Sequence, residues 1–198
     1  MLNWCRFRPI ELTICGGTAA RLYRISFSGE LAYELGVPAR YGDALARAVM
    51  QAGAAFGIAP YGTEALSVMR IEKGHVAGNE INGRTTARDL GFERMMSTKK
   101  DHIGRVMAGR PGLIEPNRPR FVGFRPVDSR QRLRAGAHLV TRHAAISSEN
   151  DQGVVTSVAF SPACGHWIGL GFLARGPERV GERIMAKGRA APSTDSWE

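Results

Sequence analysis

Cysteine is scarce in this sequence: Cys5, Cys15 and Cys164 are three in number and far apart. An odd, scattered set does not build a disulfide framework, so reduced thiols in a cytoplasmic setting are expected. Long apolar runs are missing too. No stretch approaches the roughly 18 apolar residues of a membrane span. Arg6, Arg8, Pro9 and Glu11 break up the N-terminal segment that a secretory leader would keep apolar. No membrane partner is expected. The histidines His75, His102, His138, His143 and His166 have no metal-ligand spacing and no cysteine pair beside them, so no metal site is expected. No serine sits in a nucleophile elbow, and no catalytic residue is assigned. Gly169-Leu170-Gly171-Phe172-Leu173-Ala174 has the letters of a dinucleotide-binding turn. It falls in an expected strand and runs into Arg175-Gly176-Pro177, with no helix to receive a phosphate, and is rejected.

What the chain does have is positive charge. Its 27 Lys and Arg against 18 Asp and Glu give a net +9. Thirteen of the basic residues and only five acids lie between Arg84 and Arg134, so +8 falls in about a quarter of the chain. Such a surface favours an anionic partner, although a solvated face has the same composition. A nucleic-acid-binding module is the non-enzyme reading, but few aromatics interleave the charges. Arg120–Arg125 (RFVGFR) lacks the glycine that precedes the first aromatic of an RNA-binding strand. Nucleic acid is therefore the less favoured partner.

Periodicity gives a mixed chain. Arg21–Phe27 and Leu31–Val37 read as a β-hairpin around Ser28-Gly29-Glu30. From Tyr41 to Phe56, the residues Leu45, Val49, Ala52 and Phe56 recur at helical spacing. A second helix is expected from Thr63, as N-cap, to Lys73, with Gly74 as its stop. Residues 79–86 read as a loop, with short helical pieces from Ala87 and over Gly104–Ala108. Pro111, Gly112, Pro116 and Pro119 mark 110–119 as the candidate linker. Strands follow at Phe121–Phe124, Ala137–Thr141, Gly153–Phe160, Trp167–Leu173 and Glu182–Ala186, the pattern of a small antiparallel sheet or barrel.

Glu72 stands out. Ala65, Leu66, Val68 and Met69 form an apolar stripe on the second helix, and Glu72 takes the next place on it. A carboxylate on a buried face is costly without a partner, and in a last turn the helix dipole opposes it. Either a donor-rich ligand compensates it, or an arginine such as Arg70 or Arg84 does, or the helix ends earlier. Lys99 and Lys100 are a second candidate, since two adjacent ammonium groups hold a carboxylate or phosphate. A surface lysine pair that is merely solvated looks the same in sequence.

Several blocks, in one consistent order, resemble a known family: Arg24–Leu35 (RISFSGELAYEL), Tyr61–Leu66 (YGTEAL), Met69–Gly83 (MRIEKGHVAGNEING), Arg84–Leu90 (RTTARDL), Ser97–Gly104 (STKKDHIG) and Thr156–Pro162 (TSVAFSP). Together they resemble the C-terminal region of sarcosine oxidase α subunits. That region is similar in turn to the glycine-cleavage T-protein (aminomethyltransferase) and to the C-terminal part of dimethylglycine dehydrogenase. The resemblance implies an α+β fold, a partial T-protein-like folate-binding domain followed by a small antiparallel β-barrel. The expected divisions are an atypical segment over 1–19, the second half of the folate domain over 20–109, the linker 110–119, the barrel over 120–187 and a tail over 188–198.

The resemblance further implies part of an oxidoreductase. Its tetrahydrofolate would accept the one-carbon unit from oxidative demethylation of sarcosine, leaving as 5,10-methylenetetrahydrofolate. Flavin and NAD would lie elsewhere in the full assembly, and the other sarcosine oxidase subunits would be partners. Glu72 matches the pterin-binding glutamate of the T-protein Arg-Leu-Glu motif. Lys100, beside Lys99, falls where the T-protein has a folate-contacting arginine. Phe27 stands at the tyrosine of Gly-Tyr-Thr-Gly-Glu, so it keeps a stacking surface and loses a hydroxyl. His102 replaces a phenylalanine. Residues 1–18 are too few to supply the first half of the folate domain and its aspartate, so the chain is expected to be a fragment without independent activity. Rival readings are an aminomethyltransferase of the glycine-cleavage type and a scaffold role for the barrel.

Overall fold

Alternation of Ile10, Leu12 and Ile14 with Glu11 and Thr13 sets the first strand of the computed structural model, which describes residues 9–145 and 147–187. The described chain forms two compact units divided between Lys73 and Gly74. The tail at 188–198 and residues 1–8 of the segment read as atypical lie outside the described residues.

In the first unit, β1 (Ile10–Ile14), β2 (Thr18–Tyr23) and β3 (Glu34–Gly36) form an antiparallel sheet in that order. The β1–β2 turn places Cys15, Gly16 and Gly17 at φ 46°, 74° and 134°. Glycine occupies the two most demanding of these positions. The tight hairpin thus lies one strand earlier than expected, inside the segment read as atypical. Arg21–Phe27 and Leu31–Val37 do pair, but only as Arg21↔Gly36, Leu22↔Leu35 and Tyr23↔Glu34. The Ser-Gly-Glu signal belongs to a wide loop over 24–33, where Ser26 Oγ accepts from the Gly29 N–H at 2.8 Å.

Helix α1 (Gly42–Gly53) continues as a 3-10 turn over Ala54–Phe56 and stops at Gly57, φ 71°. It buries no residue. The expected stripe is largely uncovered: Leu45 is half-buried, whereas Val49, Ala52 and Phe56 are exposed. Helix α2 (Thr63–Lys73) has the expected span and ends at Gly74, φ 73°. Its cap falls one residue earlier than expected, because the Leu66 N–H donates to Gly62 O at 3.1 Å.

The second unit opens with turns over 77–91, a 3-10 turn at Glu93–Met95, and two short helices, α3 (Arg105–Ala108) and α4 (Pro111–Ile114). The expected linker is therefore structured. Arg118, at its end, is held by Asp89, and the Phe121 N–H donates to Asp89 O at 2.8 Å. Prolines there start a helix and an edge strand, both places that need no donor.

Five antiparallel strands follow: β4 (Pro119–Phe124), β5 (His138–Val140), β6 (Asp151–Ser161), β7 (His166–Ala174) and β8 (Met185–Lys187), in the order β4-β7-β6-β5-β8. All five expected strands are present. Ala137, Leu139, Val155 and Leu173 make the core, joined by Val122 and Phe124 from edge strand β4 and by Ile184 beside edge strand β8. Residues of both edges meet one core, so the sheet curls around it, as a small barrel does. The rejected Gly-rich letters lie in β7. A Cβ on Gly171 would stand 2.2 Å from Val154 O, so this glycine serves close strand approach.

Candidate functional site

Glu72 lies in the last turn of α2, as expected, but its side chain is exposed. The residues α2 buries are Arg70 and Ile71, each 6% exposed. The apolar stripe is only half-covered, because Leu66, Val68 and Met69 are intermediate and Ala65 is exposed. The burial argument for Glu72 fails on that geometry. The unfavourable dipole position remains, and Arg70 and Lys73 in the same turn offset it.

Phe27 is 37% exposed and sits in the 24–33 loop between Ser26 and Gly29. Gly29 has φ +98° and lies against Lys73, so close that a Cβ there would stand 2.5 Å from Lys73 Cδ. The loop that carries Phe27 therefore packs on the helix turn that carries Glu72. Lys99 and Lys100 belong to the second unit. Both are exposed, and their N–H groups donate to Ser97 Oγ at 3.2 and 2.9 Å. Asp101 pairs with Arg105 at 3.0 Å, so its charge is engaged beside the two ammonium groups. A cavity of about 710 Å³ opens along β1 and β2, lined by Leu12, Ala20, Arg21, Tyr23 and Val37 among others. Neither Phe27 nor Glu72 lines it. Among the described residues, no group of three His, Cys, Asp or Glu is placed to hold a metal ion.

Two buried carboxylates escaped the sequence reading. Glu80 is wholly buried. Its Oε1 lies 2.6 Å from both Thr156 Oγ1 and Ser157 Oγ, and its Oε2 accepts from the Ala77 N–H at 2.8 Å. Consecutive strand residues ordinarily point to opposite faces. Here the register of β6 against β7 shifts between Val155 and Ser157, a bulge that lets both hydroxyls reach one carboxylate. Nothing in the sequence announces a partnership across 76 residues, and Glu80 fell in a segment without periodicity.

Asp89 is 2% exposed and takes a two-pronged contact from Arg118, Nε to Oδ1 at 3.0 Å and Nη2 to Oδ2 at 2.6 Å. Burial alone would raise its carboxyl. The bonds from Arg118 and Thr86 outweigh burial and hold it below the ordinary aspartate range. Arg118 is raised in turn, chiefly by its hydrogen bonds to Asp89. Arg118 also donates to the carbonyls of Gly112 and Arg84, so one guanidinium fastens three segments.

Residues 2–100 match the family described as the GCVT N-terminal domain, and residues 120–192 match the glycine cleavage T-protein C-terminal barrel domain. The sarcosine oxidase subunit alpha of Rhizobium meliloti (strain 1021) is 50% identical over 177 residues, covering 88% of this chain and 18% of that protein. The same subunit from Corynebacterium sp. (strain U-96) is 40% identical over 176 residues, again 18% of its length. The chain thus spans under a fifth of these relatives. Among solved structures, a glycine cleavage system aminomethyltransferase T from Bartonella henselae superposes with a TM-score of 0.65 at 25% identity. That match covers 86% of this chain and 46% of the other.

Proposed function

Because the chain belongs to the glycine cleavage T-protein family, we propose that it serves as the folate-binding C-terminal region of a sarcosine oxidase α-like subunit. The observation that carries this reading is the 50% identity to a sarcosine oxidase α subunit, sustained over 88% of the chain. Tetrahydrofolate would supply the nitrogens that accept the one-carbon unit released when sarcosine is demethylated. Oxidation itself, flavin and NAD would belong to other parts of the assembly, whose remaining subunits are the proposed partners.

The residues present suit that ligand in chemistry. A carboxylate accepts from the ring N–H and amino donors of a pterin together, the role proposed for Glu72. Phe27, exposed on a loop packed against the same helix turn, offers a stacking face without a hydroxyl. Lys99 and Lys100 carry exposed charge suited to the anionic glutamate tail, as point charges and not as a fork.

The test is folate affinity in the intact sarcosine oxidase-type assembly. Glu72→Ala removes two charge-assisted bonds at about 1.5–3 kcal/mol each, so affinity should fall by roughly 100-fold or more. Unchanged affinity overturns the assignment of Glu72. The aminomethyltransferase reading has the Bartonella structure in its favour. Transfer of a one-carbon unit from an aminomethyl-lipoyl carrier protein, with no response to sarcosine, would establish it instead.

A further inference from the structure

The charge of residues 84–134 resolves into paired and unpaired groups. Of the five acids, Asp89, Glu93, Asp101 and Asp128 hold Arg118, Arg88 and Arg120, Arg105, and Arg130 respectively. Arg125, Arg132 and Arg134 have no carboxylate partner among the described residues, and these three line a single cavity of about 430 Å³. No acidic side chain lines it. The acids nearest in sequence are engaged elsewhere, Asp128 by Arg130 and Glu182 by Arg179 at 2.6 Å. Leu133, Ala137 and Ile184 give the lining an apolar part, and Ala137 is a core residue at 2% exposure. The volume lies within the range of small-molecule sites, roughly 300–1,000 Å³.

We propose that this cavity on the barrel is a binding site for a small amphipathic anion, an organic carboxylate or phosphate ester with an apolar body. Its apolar part would lie on Leu133, Ala137 and Ile184, and its charged head against Arg125, Arg132 and Arg134. Guanidinium groups suit both head groups, because their planar donors match carboxylate and phosphate oxygens. The site is confined to the second unit and is independent of the folate reading of Glu72 and Phe27.

Arg132 supplies the reporter. Its guanidinium lies 4.8 Å from the centre of the Trp167 ring, so an anion that draws on Arg132 changes the surroundings of that indole. In the full 198-residue chain carrying Trp4→Phe and Trp197→Phe, Trp167 is the one remaining tryptophan. Emission is titrated with 4-phenylbutyrate, phenyl phosphate, inorganic phosphate and sodium chloride at constant ionic strength. The expected result is a saturable change with one or both aromatic anions and a weaker one with inorganic phosphate. The better of the first two identifies the natural head group. Arg125→Gln and Arg134→Gln each remove one charged contact and should weaken binding about tenfold, while Arg110→Gln, at a position outside the cavity lining, should not. Near-ultraviolet circular dichroism confirms that each variant keeps the barrel. Equal responses to all four salts, or saturable binding that survives both cavity substitutions, would overturn the site.

Discussion

Replacing Arg118 with methionine tests the account of the second unit most directly. The substitution keeps an unbranched stem and removes the guanidinium. Asp89, 2% exposed, would keep the Thr86 N–H bond at 2.9 Å but lose both contacts from Arg118. The carbonyls of Gly112 and Arg84 would lose a donor each. Removing one partner of a buried ion pair costs about 3–5 kcal/mol, because the remaining charge stays buried. Arg118 itself is 20% exposed, and water reaching its place screens part of the cost, so the expected loss is at the lower end, about 3 kcal/mol. For a unit of this size that corresponds to roughly a 10 °C fall in Tm.

The measurement is urea and thermal unfolding with and without Arg118→Met in the Trp4→Phe, Trp197→Phe background, followed by Trp167 emission. The pH dependence supplies a second arm. Asp89 titrates below its ordinary value in the folded chain, so its contribution is complete above the unfolded-state pKa, about 3.9. It is lost as pH falls below that and through the folded value. The gap between wild type and variant should therefore be widest near neutrality and narrow below about pH 4. Asp89→Leu added to Arg118→Met should recover part of the loss, since no charge is then left buried. A loss under about 1 kcal/mol at neutral pH, or a gap that widens in acid, would refute the reasoning.

Three further outcomes follow from the same structure. Gly153→Ala places a Cβ 1.9 Å from Phe172 O at φ +151°. It should cost about 3 kcal/mol or more in urea unfolding, and a loss below 1 kcal/mol would show that β6 does not approach β7 so closely. Glu80→Ala leaves the Thr156 and Ser157 hydroxyls and the Ala77 N–H without their carboxylate, which should cost about 2–4 kcal/mol. Thr156→Val with Ser157→Ala in that background should cost little more, and additive losses would argue against a shared network. Hydrogen exchange should protect β6 and β7 at least about 100-fold more than α1. Among its described residues the first unit buries only Ala20 and Ile71 as apolar residues, and uniform protection across both units would contradict that.

Strong periodicity was legible, and anything decided across the fold was not. The α2 span was readable because Thr63–Lys73 carries a helical pattern between Gly62 and Gly74, and the five barrel strands because turn residues separate β-rich runs. β1 was also readable in principle, since Ile10, Leu12 and Ile14 alternate with polar residues. The arginines and proline before it hid the pattern. The orientation of Glu72 could not be read, because periodicity says which residues share a face and not whether anything covers it. In α2 the covered face stops short of residue 72. Glu80 fell in a loop without period and Asp89 in an expected short helical piece, and their burial depends on partners 76 and 29 residues away. Only the resemblance to a known family pointed to Phe27, whereas Lys100 was also marked by its adjacency to Lys99.

Those two carboxylates also explain why the chain divides physically where the family description does not. The N-terminal family match runs to residue 100, yet the compact second unit begins at Gly74. Residues 77–93 are fastened to the barrel three times: Glu80 onto the bulge of β6, Asp89 onto Arg118, and Glu93 onto Arg120 in β4 at 3.1 Å. The bulge does double service here, bending the sheet around its core and aiming two adjacent hydroxyls at Glu80. Lys99 and Lys100 lie further along the same unit, beyond the last of these attachments. The lysines thus belong to the unit that holds the barrel, whereas Glu72 and Phe27 belong to the first unit.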